Sequence, residues 1–276
     1  MEQIAIVLKQ AAPAVCAAIE PGREPCEWAF HRIGEDSAWV VLETTRQTRE
    51  RALQAFARAV VREYEPVLVR SNIRRHYRYF SGEELTEIAL QAQGHLMAQQ
   101  SVRRRVGMVT RALDSVSREV PRMDLDGVLT FRCREYMDAI DDAVDRAVDD
   151  LLMEREYREF IRLLKCFVDA QPSRIGKVNA ILKPEGAFVL LDAQGQPIES
   201  DTVQEFVVEM VDSELNYEDL LVSALITLAP ARVVLHGPPE LMEAGSAVTV
   251  RDVYAGRADV CPGCVFCAEA QRRHHR

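Results

Sequence analysis

Ile140-Asp-Asp-Ala-Val-Asp-Arg-Ala-Val-Asp-Asp-Leu151 is the stretch from which the fold reads. Ile140, Val144, Val148 and Leu151 fall on one stripe of an α-helix, while Asp141, Asp142, Asp145 and Asp149 turn away from it. The stripe widens at Leu151-Leu152-Met153 and resumes in a shifted phase at Phe160, Ile161, Leu164, Phe167 and Val168. This pattern predicts either one long helix bent near Glu154 or two packed helices, ended by Pro172.

Working outward, residues 47–170 read as a helical region. Thr44 with Gln47, and Ser81 with Glu84, have the capping-box spacing, in which a hydroxyl and a distal amide or carboxylate cover orphan N–H groups at a helix start. Pro121 and Met123–Gly127 interrupt the pattern. Upstream, 1–46 reads as a small β-containing unit. Ile4–Leu8 is a buried strand, Pro13–Ile19 a short helix closed by Pro21-Gly22, and Cys26–Ile33 and Ala38–Glu43 flank a Gly34-Glu35-Asp36 turn. Downstream, 171–260 is an α/β segment. Val178–Leu182 and Ala187–Leu191 flank Pro184-Glu185-Gly186 as a hairpin, and Thr202 with Glu205 caps a short helix. A second helix starts at Asn216-Tyr217 and stops at Ala229-Pro230, and Arg232–His236 is a buried strand before the Gly237-Pro238-Pro239 turn. Residues 261–276 form a Cys/His-rich tail. The fold class is mixed α+β, or α/β in its C-terminal half.

The composition narrows the function. Hydrophobic residues make up 48% and charged residues 28%, an ordinary globular balance, and the formal charge is −9. Such a balance argues against non-specific coating of nucleic acid, whose phosphates it would repel. Met1–Leu8 lacks the basic start of a secretory signal, and no apolar run approaches the roughly 18 residues of a membrane span. The expected location is therefore the reducing cytosol, with no membrane. There the seven cysteines suit thiols or metal ligands better than disulfides. Cys16, Cys26, Cys133 and Cys166 read as small buried apolar residues.

The remaining three are the chief chemical feature. Cys261-Pro-Gly-Cys264-Val-Phe-Cys267 brings three sulfur ligands into one tight loop, a spacing that serves zinc or, less readily here, an iron–sulfur cluster. Both want a fourth ligand, for which His274 and His275 are nearest in sequence; a distant Cys or a second subunit is the alternative. A flexible reduced tail and a redox-active thiol pair are the competing readings.

Arg70, Arg74, Arg75, Arg78, Arg103, Arg104, Arg105 and Arg111 share their segment with Tyr77, Tyr79, Phe80 and only three carboxylates. Arginines interleaved with aromatics can grip phosphates and stack bases, which makes nucleic acid an alternative partner. A solvated face paired with the acidic helix at 138–150 is the favoured reading. Most of the negative charge lies in 171–260, with fourteen acidic and six basic side chains. His236, where a strand enters a turn, is read as a satisfied structural histidine, and the Asp141–Asp149 series as an exposed acidic face. Neither G-x-G-x-x-G nor a P-loop occurs, and no nucleophile has an identifiable partner, so the sequence gives no catalytic residues.

Two blocks carry a resemblance. Asp126-Gly-Val-Leu-Thr-Phe-Arg-Cys-Arg-Glu-Tyr136, continuing through Glu154–Leu164 to Asp169, and Asn216–Pro230 with the following strand, resemble the YtxC-like sporulation proteins of endospore-forming bacteria. The similarity covers about 126–267 and is poor before 120. It implies a sporulation context in the bacterial cytosol and brings no activity, catalytic residue or cofactor. The expectation is a non-enzymatic protein that binds a protein partner, with a C-terminal thiolate metal site.

Overall fold

The computed structural model describes residues 2–19, 27–183, 187–198, 217–243 and 245–272, with the backbone alone at 217–219 and 269–272. It is mixed α+β, and the chain divides into two units, Met1–Met153 and Glu154–Arg276, each with its own core.

The first sheet is built by alternation. In β1 (Glu2–Leu8), Ile4, Ile6 and Leu8 are buried; in β3 (Ala38–Thr44), Ala38, Val40, Leu42 and Thr44 are. One face of each strand therefore meets the core. They pair antiparallel, β2 (Glu27–Arg32) lies outside β3, and β4 (Arg122–Asp124) runs parallel to β1 on its other side. Ile33 and Gly34 donate to the carbonyl of Ser37, closing the turn expected between β2 and β3. The intervening helix α1 is Ala12–Ala18. Because β4 comes from the middle of the helical region, the first strands and those helices share one core.

The helices of this unit are α2 (Arg49–Ala59), α3 (Glu65–His76), α4 (Gly82–Gln99), α5 (Val102–Glu119), α6 (Leu125–Arg132) and α7 (Arg134–Ala170). A π-helical turn, Val60–Tyr64, joins α2 to α3 just before Pro66. Proline has no N–H to donate and its ring collides with the carbonyl four residues back, so a widened turn accommodates it without breaking the rod. Ser81 and Glu84 form the expected capping box, with the Glu84 carboxylate accepting from the Ser81 N–H at 2.7 Å. Thr44 and Gln47 do not cap a helix. Thr44 is still paired in β3, its hydroxyl sits 2.9 Å from that of Thr48, and α2 starts only at Arg49. The acidic stretch and its continuation form one helix of 37 residues with no break at Glu154, and the unit boundary falls inside it. Asp141, Asp142, Asp145 and Asp149 are exposed, while Ile140, Val144, Val148 and Leu151 are buried.

A polar group lies at the centre of this apolar core. Arg105 of α5 is 1% exposed, and its Nε donates to Glu65 Oε2 at 2.9 Å. Tyr136 donates to the same oxygen at 2.9 Å, and Arg105 Nη1 donates to the carbonyls of Leu96 and Gln100. Burial pushes the Glu65 carboxyl up, and Arg105 and Tyr136 draw it back only in part.

In the second unit, β5 (Ile175–Leu182) pairs antiparallel with β6 (Phe188–Leu191) and parallel with β7 (Pro230–His236). In turn, β7 pairs parallel with β8 (Ala258–Val260). Helix α8 (Tyr217–Leu228) precedes β7, and α9 (Pro239–Met242) and α10 (Gly245–Val253) lie between β7 and β8. Val178, Ala180, Leu182, Val233 and Leu235 point into a core with Leu221, Leu225, Val250 and Tyr254, against which Ile161, Leu164 and Val168 of α7 pack. By strand alternation Asn179, Ile181, Val234 and His236 occupy the opposite face. Helix α11 (Val265–Arg272) follows β8.

Of the scattered thiols, Cys133 is buried and Cys16 half-buried, but Cys166 is exposed on α7 and is no core residue. Among the described residues no helix is long and apolar enough to cross a membrane. Cys26, Pro21-Gly22, Pro184-Glu185-Gly186, Thr202, Glu205, Asn216, His274 and His275 lie outside the described residues.

Replacing one member of the buried ion pair leaves the other charged and unmatched. Glu65→Leu is therefore expected to cost the first unit about 3–5 kcal/mol in urea unfolding. The double replacement Glu65→Leu with Arg105→Met should recover most of that loss.

Candidate metal centre

The parallel register of β7 and β8 starts the site. Leu235 lies opposite Val260, so His236 and Cys261 come next on the two strands, and the Cys261 N–H donates to the Leu235 carbonyl at 2.9 Å. After Cys261 the chain turns through Pro262-Gly263 and enters α11, whose first turn carries Cys267. The Nδ1 of His236 is 3.3 Å from Cys264 Sγ and 3.6 Å from Cys267 Sγ, and the two sulfurs are 4.0 Å apart. With Cys261 added, all four ligand atoms lie within 4.8 Å of one another. Tetrahedral zinc with Zn–S near 2.3 Å and Zn–N near 2.0–2.1 Å sets its ligands roughly 3.6–3.8 Å apart. The described side chains therefore form a His/Cys3 group that could hold a metal.

Its chemistry suits a cation. His236 and Cys267 are buried and Cys261 is half-buried, while Cys264 faces solvent. Burial, with Lys177 second, holds His236 below the ordinary imidazole range, so the ring is neutral and one nitrogen keeps a lone pair. Burial alone would raise the Cys264 thiol, but the N–H groups of Cys267 and Phe266 and the Cys261 thiol outweigh it and bring Cys264 down. Cys264 thus behaves as a thiol at a helix start, where backbone N–H groups favour the thiolate. The Gly263 N–H draws Cys261 down, yet burial and the two neighbouring thiols leave it raised. Three crowded sulfurs cannot all ionise cheaply without a positive charge among them, and a divalent ion supplies one.

The rest of the site holds the imidazole. Asn179 Oδ1 lies 3.2 Å from His236 Nε2, and Asn179 Nδ2 donates to the Asp192 carbonyl at 2.7 Å. The Phe266 ring meets His236 edge-on, with centroids 5.5 Å apart. It also lies against Gly195, which has a left-handed φ of 81° and whose Cβ, if present, would come within 3.2 Å of Phe266 Cζ.

Sequence spacing brought together Cys261, Cys264 and Cys267 but supplied His274 and His275 as imidazoles. Among the described residues the structure brings His236 to the thiols, 28 residues from Cys264, while His274 and His275 lie outside the described residues. Reading His236 as only structurally satisfied missed half of its surroundings, since it has Asn179 on one nitrogen and the thiols on the other. Strand alternation held the clue, because Val233 and Leu235 face the core and place His236 on the other side, beside the turn that leads toward the cysteines.

The arginines fare differently. Arg70, Arg74, Arg75, Arg78 and Arg103 are exposed, Arg104 is exposed and pairs with Glu135 at 2.5 Å, and Phe80 is buried. Arg105 is withdrawn into the core and unavailable to any phosphate, since it is in phase with Val109 and Ala112 on the buried stripe of α5. The acidic face of α7 is met by Asn72 at Asp141, by Tyr77 at Asp145 and by His95 at Asp150.

The sequence model of the YtxC-like family matches residues 51–259. The chain belongs to the YtxC-like family. It is 33% identical over 148 residues to the uncharacterized protein YtxC of Bacillus subtilis strain 168, covering 52% of this chain and 50% of that one. The chain thus spans about half the length of the curated relative it matches. The match begins well before residue 120, so the helices from α2 onward belong to the family region, and it ends short of the three cysteines. No solved structure matches.

Metal uptake here requires a neutral imidazole and the loss of thiol protons, so affinity should fall with pH. Calorimetric zinc titrations at about pH 8 and pH 6 are expected to show tighter binding at the higher pH, with proton release that disappears in Cys264→Ser.

Proposed function

We propose that the chain is a non-enzymatic protein of the bacterial cytosol that acts in sporulation by binding a protein partner, and that it carries structural zinc on His236, Cys261, Cys264 and Cys267. The observation that carries the zinc reading is the closed ligand set. Catalytic zinc keeps one coordination position for water or substrate, whereas four protein ligands leave none. An imidazole beside three thiolates favours zinc over an iron–sulfur cluster. The residues fit the ion in number, in ligand type and in spacing. Zinc would supply a crosslink there, joining the end of β7 to α11.

The sporulation context rests on the resemblance of residues 126–267 to the YtxC-like sporulation proteins, and the partner-binding role rests on exposed apolar surface. Phe160, Leu163 and Phe167 of α7 are 51%, 61% and 53% exposed, more large apolar surface than a solvated helix needs.

Elemental analysis of untagged protein purified without added metal tests the zinc. About one zinc per chain is expected, falling to background in His236→Ala and in Cys264→Ser; wild-type protein that folds without metal would remove the site. For the biological role, deleting the gene in its own host should lower the count of heat-resistant spores. An unchanged count would remove sporulation from the proposal.

A further inference from the structure

The ring of His236 has two nitrogens with different neighbours, and the neighbours determine which one carries the proton. Nε2 faces Asn179 Oδ1 at 3.2 Å, and Nδ1 faces the sulfurs of Cys264 and Cys267. An amide oxygen can only accept, so Nε2 must be the donor. The amide itself could turn over and present its NH2 to the ring. It is prevented from doing so because the carbonyl of Asp192 lies 2.7 Å from Asn179 Nδ2, and a carbonyl can only accept as well. Two one-way contacts therefore set a direction: Asp192 orients Asn179, and Asn179 orients His236.

That chain has a rigid base. Asp192 starts the 192–197 turn, where its carboxylate accepts from the N–H groups of Gln194 and Gln196 at 2.8 Å each. Its own N–H donates to the Gln196 carbonyl at 2.9 Å. The same turn presents Gly195 to Phe266, and Phe266 sits edge-on to His236. Asn179 is 3% exposed, on the sheet face away from the apolar core. A buried amide in the middle of a strand is costly unless its bonds are made, and both of those named here serve the imidazole.

We infer that Asn179 is the positioning residue of the metal centre, holding His236 as the Nε2–H tautomer so that Nδ1 is the metal ligand. The inference rests on the zinc reading above and adds to it a residue that touches no metal. The nitrogen opposite the metal is held by a hydrogen-bond acceptor, which sets both the tautomer and the plane of the ring. Asn179 and His236 lie on neighbouring parallel strands, with Asn179 opposite Val234 and Ile181 opposite His236, so the sheet fixes their distance. Preorganisation of this kind lowers the cost of binding without adding a ligand.

A double-mutant cycle on the full chain tests it, with zinc affinity read by chelator competition and the ligand field by cobalt(II) absorption. Asn179→Leu, similar in size and unable to accept, should weaken zinc about 10–100-fold. Asn179→Asp still accepts from Nε2–H but has no donor for the Asp192 carbonyl, so it should weaken zinc less than Asn179→Leu does. In a His236→Cys background no imidazole remains to be positioned, and Asn179→Leu should then have no effect on affinity. An equal loss in that background would mean that Asn179 supports the sheet and not the ligand, and would overturn the inference. So would wild-type affinity in Asn179→Leu itself.

Nitrogen-15 spectra of zinc-loaded wild-type protein labelled at histidine provide a measurement that depends on no variant. They should show a protonated Nε2 and a coordinated Nδ1 at His236, and the reverse assignment would overturn the proposal. Failure of the wild-type chain to bind zinc at all would instead count against the zinc reading itself.

Discussion

The chemistry of the second unit depends on one register. Leu235 of β7 lies beside Val260 of β8, and this parallel pairing places the end of one strand next to the start of the thiol loop. A shift by one residue would turn His236 into the core and bring Leu235 to the thiols. The register is guarded from the other side, because Val233 and Leu235 interlock with Val178, Ala180 and Leu182 in the apolar layer. Burial on one face of the sheet thus fixes the positions of the candidate ligands on the other.

The two units handle polar groups in their interiors by different means. In the first, Glu65, Arg105 and Tyr136 satisfy one another across α3, α5 and α7, with backbone carbonyls taking further guanidinium protons. That triad ties together helices far apart in sequence, but its charges lose hydration, so it adds less to stability than its bonds suggest. In the second unit the polar face of the sheet gathers a neutral imidazole, an amide and thiols around one point. A structural zinc ion contributes on the order of 10–16 kcal/mol of apparent binding free energy in small folded peptides. Such a contribution is large against the helix it would anchor, since α11 has eight residues and is too short to persist alone.

Much of this fold was legible where a local rule has no competitor. The α7 stripe, the Ser81–Glu84 box and the turn at Gly34–Asp36 all follow from near neighbours, and each forms as the pattern requires. Thr44 and Gln47 carry a similar spacing but lose to a longer-range demand, because Thr44 is already paired with Glu2 across the sheet. Arg105 looks like its neighbours Arg103 and Arg104 in any count of charge; only its phase with Val109 and Ala112 sets it apart, and Glu65, which makes its burial tolerable, is 40 residues away. His236 was hidden for the same reason. Spacing rules find ligands that share a loop, and a ligand delivered by a neighbouring strand is visible only once the strands are paired.

The family match divides the site in an informative way. Residues 51–259 include Asn179, His236 and the sheet that relates them, whereas Cys261, Cys264 and Cys267 follow the matched stretch. The imidazole side therefore falls within the matched stretch, and the thiol side lies in the segment that continues from β8. The two halves place different demands on their chains. An oriented imidazole needs a sheet, a fixed register and a buried acceptor, all of which depend on distant residues. Three thiolates need only a tight turn and a helix start, which one short stretch can encode. A chain that already holds a neutral, oriented histidine at a strand end is thus within a few residues of a complete tetrahedral site. The converse does not hold, because a Cys-rich tail with no scaffolded fourth ligand remains a flexible peptide.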